Sequence, residues 1–167
     1  GAMVASDRRT SGIQLEDENI ELKASSRIRE MLGGRVLVNV TSYNRQVLLT
    51  GEVPNEQDRQ YVAKLTGEVE NVRAVLNELV VAPNSSLTDR STDSLITAKV
   101  KGSLVDSRDL FANAFKVVVE RGEVYLMGVV TEREANRAAE LTATISGVRK
   151  VVKAFQVISE DELARRL

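Results

Sequence analysis

The sequence predicts an α/β protein of the α+β type, built from two tandem copies of one small unit ordered helix, strand, strand, helix, strand. Three observations predict it. First, a strand occurs twice: Val47, Leu49, Gly51 and Val53 recur as Val124, Leu126, Gly128 and Val130. Second, the flanking segments match as well. Ile20, Ala24 and Ile28 answer Ile96, Val100 and Leu104, and Leu65, Val69 and Val72 answer Leu141, Ile145 and Val148. Third, apolar residues alternate in the repeated strand, as a sheet with one buried face requires. Two copies are too few for a solenoid and long enough for two small domains. The competing account is one larger domain with internal symmetry.

The elements follow in order. Gly1-Ala2-Met3 reads as a protease-cleavage scar, so an amino-terminal segment is expected to have been removed, with any signal peptide or lipidated residue. Residues 4–14 lack periodicity. With the scar they form a lead-in over 1–15 that reads as flexible, either a tether or a frayed terminus. The first domain spans 16–82. Its first helix is expected to start near Asp17, with Asp17 and Glu18 at the positive helix end and Gly33-Gly34 as the stop. A strand over 36–43 turns at Asn44-Arg45, a weaker hairpin signal than Asn-Gly, into the 46–53 strand. Asn55 caps the second helix, and one strand covers 72–81. Ala82-Pro-Asn-Ser-Ser86 breaks both periodicities, which places a linker over 83–90.

The second domain spans 91–158 and repeats the order. Its first helix runs from about Thr92 to Val105. Strands cover 115–120 and 123–130, joined at Arg121-Gly122. Thr131-Glu-Arg-Glu134 is a capping box, and 148–158 is the last strand. Ser159-x-x-Glu162 opens a short carboxy-terminal helix over 159–167. In each domain the strand–helix–strand crossover should be right-handed. The result is a mixed three-stranded sheet with two helices on one face. Gly51 and Gly128 lie inside strands, where a fixed glycine suggests a close backbone or helix approach.

Composition narrows the function. The chain has 167 residues, 43% hydrophobic, with 4% aromatic residues and no Trp, so Val, Leu and Ile must fill two modest cores. Net charge is −1 with no Cys and no His. That excludes disulfides, thiolate or imidazole metal ligands, a Cys nucleophile and any His-based triad. The acidic balance and the lack of a Gly-x-x-Gly clamp argue against a nucleic-acid partner. Acidic residues cluster at helix starts and caps, where ordinary electrostatics explains them. No phosphate loop or metal cluster points to an enzyme or a cofactor. No apolar run approaches the about 18 residues needed to cross a bilayer. The oligomeric state is not set by any of these features.

Comparing the two copies singles out one surface. Leu95, Ala98, Gly102 and Val105 have helical spacing and flank the expected core stripe. Their counterparts in the first copy are Asn19, Leu22, Ser26 and Arg29. Leu110 and Phe111 follow shortly after, and Lys99, Lys101 and Arg108 lie nearby. Apolar residues with cationic neighbours suit an anionic membrane surface. The competing account is that this flank packs on the other domain or closes its own core. Tyr125, Met127 and Val129 face opposite to the core side of their strand, and their counterparts Leu48, Thr50 and Glu52 become progressively more polar. That face reads as a candidate domain–domain surface.

The pattern Val47-x-Leu-x-Gly-x-Val53 with Val72-x-x-Val75, and Val124-x-Leu-x-Gly-x-Val130 with Gly147-Val148-x-x-Val151, resembles the BON domain. The chain is similar to two-BON-domain outer-membrane lipoproteins at Asp7-Arg-Arg, at Thr97-x-Lys-Val100 and above all at 122–135. The resemblance implies a non-catalytic, periplasm-facing lipoprotein of the outer membrane, anchored through an amino-terminal lipidated cysteine that lies outside this sequence. It implies a role in envelope integrity and binding of anionic phospholipid through the first helix of the second domain. Leu95 stands where such proteins carry an aromatic residue near the start of that helix. The lipid-binding set is then Leu95, Ala98, Lys99, Gly102, Val105, Leu110 and Phe111. The alternative is a periplasmic protein–protein interaction scaffold that supports outer-membrane assembly, with envelope proteins as partners.

Overall fold

The computed structural model describes residues 7–82 and 87–166. The expected scar, the first part of the lead-in and residues 83–86 of the expected linker lie outside the described residues. The chain divides into two compact units. One is built on residues 9–85, the other on 86–167 together with the segment up to Arg8.

In the first unit, α1 (Ser11–Leu32) begins well before the expected Asp17. The reason is Thr10, whose Oγ1 accepts the Ile13 amide at 3.1 Å and caps the helix. The lead-in is correspondingly shorter than expected, and Arg8 is buried rather than loose. Strands β1 (Leu37–Tyr43) and β2 (Gln46–Val53) pair antiparallel. Helix α2 (Glu56–Gly67) starts at Asn55, whose side chain accepts the Asp58 amide at 2.7 Å. Ile20, Ala24 and Ile28 of α1 meet Val47, Leu49 and Val53 of β2 and Val62 and Leu65 of α2 in one core.

The single strand expected over 72–81 is instead two short ones, β3 (Ala74–Asn77) and β4 (Val80–Val81), both parallel to β2. Two features interrupt it. Gly51 on β2 sits at φ +120, and Arg59 of α2 donates to the Asn77 carbonyl at 2.9 Å and the Leu79 carbonyl at 3.0 Å. The Asn77 side chain also accepts the Leu79 amide at 3.3 Å. The Glu78 amide, by contrast, donates inward to the Leu49 carbonyl.

In the second unit, α3 (Leu87–Asp106) starts before the expected Thr92, so the chain from residue 87 is helix rather than linker. Strand β5 (Lys116–Glu120) pairs antiparallel with β6 (Glu123–Thr131), and β7 (Lys150–Ile158) pairs parallel with β6 over its whole length. Helix α4 (Glu132–Ala143) begins at the Thr131 capping box, and α5 (Glu160–Arg166) closes the chain. Ile96, Val100 and Leu104 of α3 and Ala135 and Ala138 of α4 pack on Val124, Leu126 and Val130, so both helices cover one face of the sheet. Tyr125, Met127 and Val129, on the other face of β6, are also buried.

Both strand glycines meet a backbone carbonyl. A Cβ at Gly51 would run into the Leu37 carbonyl, and one at Gly128 would lie 2.6 Å from the Ala114 oxygen. The two hairpin turns share a device as well. Asn44 and Arg45 in one, and Arg121 and Gly122 in the other, all have positive φ. In the first unit buried Asp17 accepts the Asn44 and Arg45 amides at 2.8 Å each. In the second Asp93 accepts the Arg121 and Gly122 amides at 2.8 and 2.9 Å. Asp17 therefore works inside its helix as a turn clamp, not at the helix end.

Candidate functional site

The geometry of α3 follows from its period. At about 100° per residue, Ile96, Val100 and Leu104 share one side and are buried. Leu95, Ala98, Lys99, Gly102 and Val105 fall on the opposite side, and all five are exposed. Leu95 keeps 56% of its surface in solvent and Val105 keeps 69%. A Cβ at Gly102 would meet nothing within 4 Å, so no packing contact dictates glycine there. The flank is apolar without serving its own core. Lys101 and Arg108 are exposed beside it, with Asp106 and the Arg137-paired Asp109, so together with Lys99 the local balance is cationic.

The loop after α3 is held in place by charge. Asp109 accepts from the Ser107 hydroxyl at 2.6 Å and from Arg137 Nε at 3.0 Å, and its carbonyl accepts from Arg133 at 3.1 Å. The Ser107 hydrogen bond first, then Arg137, holds the Asp109 carboxyl below its ordinary value. Phe111, at the end of this loop, is 50% exposed. Leu110 is not part of the surface. It is 7% exposed and belongs to the domain core with Leu104 and Phe115. Sequence spacing alone could not separate these neighbours, because the chain bends over 108–110 and an irregular loop has no period to assign its sides.

Beside Phe111 lies a contact that the sequence reading did not find. The side chain of Arg8 is fully buried and pairs with Glu134 through two bonds of 2.6 and 2.8 Å. Arg8 also donates to the Val129 carbonyl at 3.1 Å, and its guanidinium carbon lies 5.9 Å from the Phe111 ring centre. Glu134 simultaneously accepts the Thr131 amide at 3.0 Å as the third member of the capping box. Burial pushes its carboxyl up, but Arg8 and Thr131 outweigh that and hold it below its ordinary value. The capping box was legible from spacing. The cation that completes it comes from the far end of the chain, which no local pattern signals.

Among the described residues no helix is long and apolar enough to cross a membrane, and no acidic cluster could hold a metal ion. The arrangement offers a surface for contact: an apolar helix flank and one aromatic ring, rimmed by Lys99, Lys101 and Arg108.

Comparison with known proteins agrees with this duplicated architecture. The family model of the BON domain matches residues 16–83 and again 92–159. The outer membrane lipoprotein DolP of Haemophilus influenzae is 40% identical over 159 residues, covering 94% of this chain and 82% of that protein. A 21 kDa hemolysin of Actinobacillus pleuropneumoniae is 30% identical over 154 residues, covering 91% of this chain and 79% of that one. The solved structure of CdsD, a structural protein of the type III secretion system of Chlamydia trachomatis, aligns with a TM-score of 0.37 at 16% identity, over 91% of this chain and 95% of that one. The chain therefore belongs to the BON-domain family and carries two copies of the domain.

Proposed function

We propose that the protein is a non-catalytic envelope lipoprotein whose second BON domain binds anionic phospholipid at the periplasmic face of the outer membrane. The observation that carries this reading is the outward flank of α3. Leu95 and Val105 are largely exposed although their helix already buries a complete core stripe. An exposed apolar stripe with a cationic rim has the composition of an interfacial element. Leu95, Ala98, Gly102 and Val105 enter the headgroup boundary, Lys99 meets lipid phosphate, and Phe111 adds a ring at the end of the stripe. The similarity to an outer membrane lipoprotein supports the location, and a lipid anchor preceding the sequence would hold the domain near its surface. The test is co-sedimentation with vesicles. Binding is expected to vesicles containing phosphatidylglycerol, to fall as salt rises, and to be weak on zwitterionic vesicles. Equal binding to both, independent of salt, would refute an electrostatic contact with anionic lipid.

A further inference from the structure

We propose that the outer edge of β7 is a docking site for an extended peptide segment that pairs with it as an added strand and carries an acidic residue opposite Lys153. This surface is distinct from the outward face of α3, and the inference does not depend on lipid binding. The argument starts from an asymmetry between the two domains. Every edge strand presents a row of unpaired amides and carbonyls, and proteins commonly blunt such edges.

The first domain blunts the edge formed by β3 and β4. Because the Glu78 amide points inward to β2, Asn77 and Leu79 point outward. Arg59 takes the carbonyls of both, and the Asn77 side chain takes the Leu79 amide. The edge is also broken into pieces of four and two residues. On the opposite edge of that sheet, the Ser42 amide of β1 is taken by Glu21 at 2.8 Å.

None of this is repeated on β7. The residues matching Arg59 and Asn77 are Ala135 and Lys153, so the Arg59 contact has no counterpart here. By the same register, Lys153 and Phe155 direct their backbone groups outward. No hydrogen bond outside the regular elements occupies those groups among the described residues. The strand runs nine residues without a break, longer than the five of β5.

Side chains supply the specificity. A groove of about 360 Å³ is lined by Glu132, Ala135 and Asn136 of α4 with Lys153, Phe155 and Val157 of β7. An apolar side chain of an added strand would enter it next to Phe155 and Val157. Among the described residues Lys153 is held only by neutral Asn136 at 3.4 Å, and a carboxylate opposite it on the added strand, two residues from the apolar side chain, would pair with it. The same lysine disfavours a second copy as the occupant. Two β7 strands paired antiparallel about Lys153 would set the two lysines directly opposite each other, and paired about Ala154 they would set them as diagonal neighbours on one face. Strand addition of this kind takes its affinity from main-chain hydrogen bonds and its selectivity from alternate side chains.

The test uses the full chain and a synthetic peptide matched to the nine residues of β7, with Val and Glu two positions apart on one face and Thr between them. Amide NMR spectra are expected to change along 150–158 and at the start of α4, with slower exchange at Lys153 and Phe155 and no change along 74–81. An analogue N-methylated at alternate residues, unable to donate to the edge, is expected not to bind. Lys153→Glu is expected to weaken binding about tenfold, because an opposite-charge pair becomes a like-charge pair, and a peptide with Lys in place of Glu should recover it. The proposal is overturned if the peptide does not bind at millimolar concentration, if the N-methylated analogue binds equally, or if the shifts map to α3. It is also overturned if, without peptide, the protein self-associates with protection of the β7 amides. The result would be the same if vesicles but not peptide perturbed this edge.

Discussion

Replacing Leu95 by Asn separates a membrane-facing flank from a packing one. Leu95 is 56% exposed in the free protein, so about half of the roughly 1.5–3 kcal/mol for burying a leucine is still available to a partner surface. That leaves about 1 kcal/mol, or about fivefold in partitioning. The substitution keeps every charge, so the salt dependence should be unchanged while the binding curve shifts to higher lipid concentration. Thermal stability should move little. The position is on the helix surface, and the helix propensity lost from Leu to Asn costs about 0.5 kcal/mol. Vesicle co-sedimentation and a melting curve on the same preparation provide both readings. The matching change in the first domain, Asn19→Leu, should not impair binding. The reasoning is refuted if Leu95→Asn lowers the melting temperature strongly while the remaining folded protein binds lipid normally, since Leu95 would then be supporting the fold.

Other expectations follow from the buried contacts. Arg8→Ala should cost about 3 kcal/mol by urea unfolding of the second unit, because it strands the buried Glu134 carboxylate. The Glu134 carboxyl is held below its ordinary value of 4.5, so the stability it contributes is present above that pH and lost as pH falls through the lower folded value. Acid titration of Arg8→Ala should show a smaller stability loss in that window than the parent protein. Gly51→Ala should destabilise the first domain by about 3 kcal/mol, since it combines a left-handed φ with a collision against the Leu37 carbonyl; a circular dichroism melt reads it. Asp93→Ala should cost about 2 kcal/mol by releasing two turn amides. Faster amide exchange at Arg121 and Gly122 would locate the effect.

The repeat made most of the fold legible. Apolar positions that match between copies must serve what the copies share, and Ile20 with Ile96 or Val47 with Val124 do pack in equivalent cores. Polar matches carried the same information less openly. Asp17 and Asp93 occupy equivalent positions, yet an acid in a helix reads most simply as a helix-end charge, and only the fold brings it against a turn that needs two amides bound. Helix starts were misplaced for a related reason. Thr10 caps α1 through a local bond, but the polar residues after it carry no apolar stripe to announce a helix. The interruption between β3 and β4 depends on Arg59 reaching across from α2, a contact between distant residues that strand periodicity does not encode. Leu110 failed as a surface residue because adjacent loop residues have no period to assign their sides.

One exposed leucine in the first domain tests whether exposure alone can choose between the copies. Leu22 is 70% exposed on α1, at the position matching Ala98, so the first copy also presents an apolar residue on this flank. Its surroundings differ in charge. The groove beside it is lined by Lys23 and Arg27 but also by Glu30, Glu68 and Glu70. An anionic surface approaching Leu22 meets three carboxylates against two cations, and the repulsion offsets the attraction within a Debye length. Around α3 the exposed charges beside the flank are Lys99, Lys101 and Arg108 against Asp106 and Asp109, the last of which is paired with Arg137, so the balance still favours an anionic surface. Apolar area is thus available on both helices, and under the proposed lipid-binding reading the sign of the rim favours the second. Glu68→Lys with Glu70→Lys reverses that rim around Leu22. If charge is the selector, the double variant should gain vesicle binding that Leu95→Asn does not remove. If it gains none, charge is not what distinguishes the two helices, and the assignment to α3 would have to rest on the shape of its apolar stripe alone.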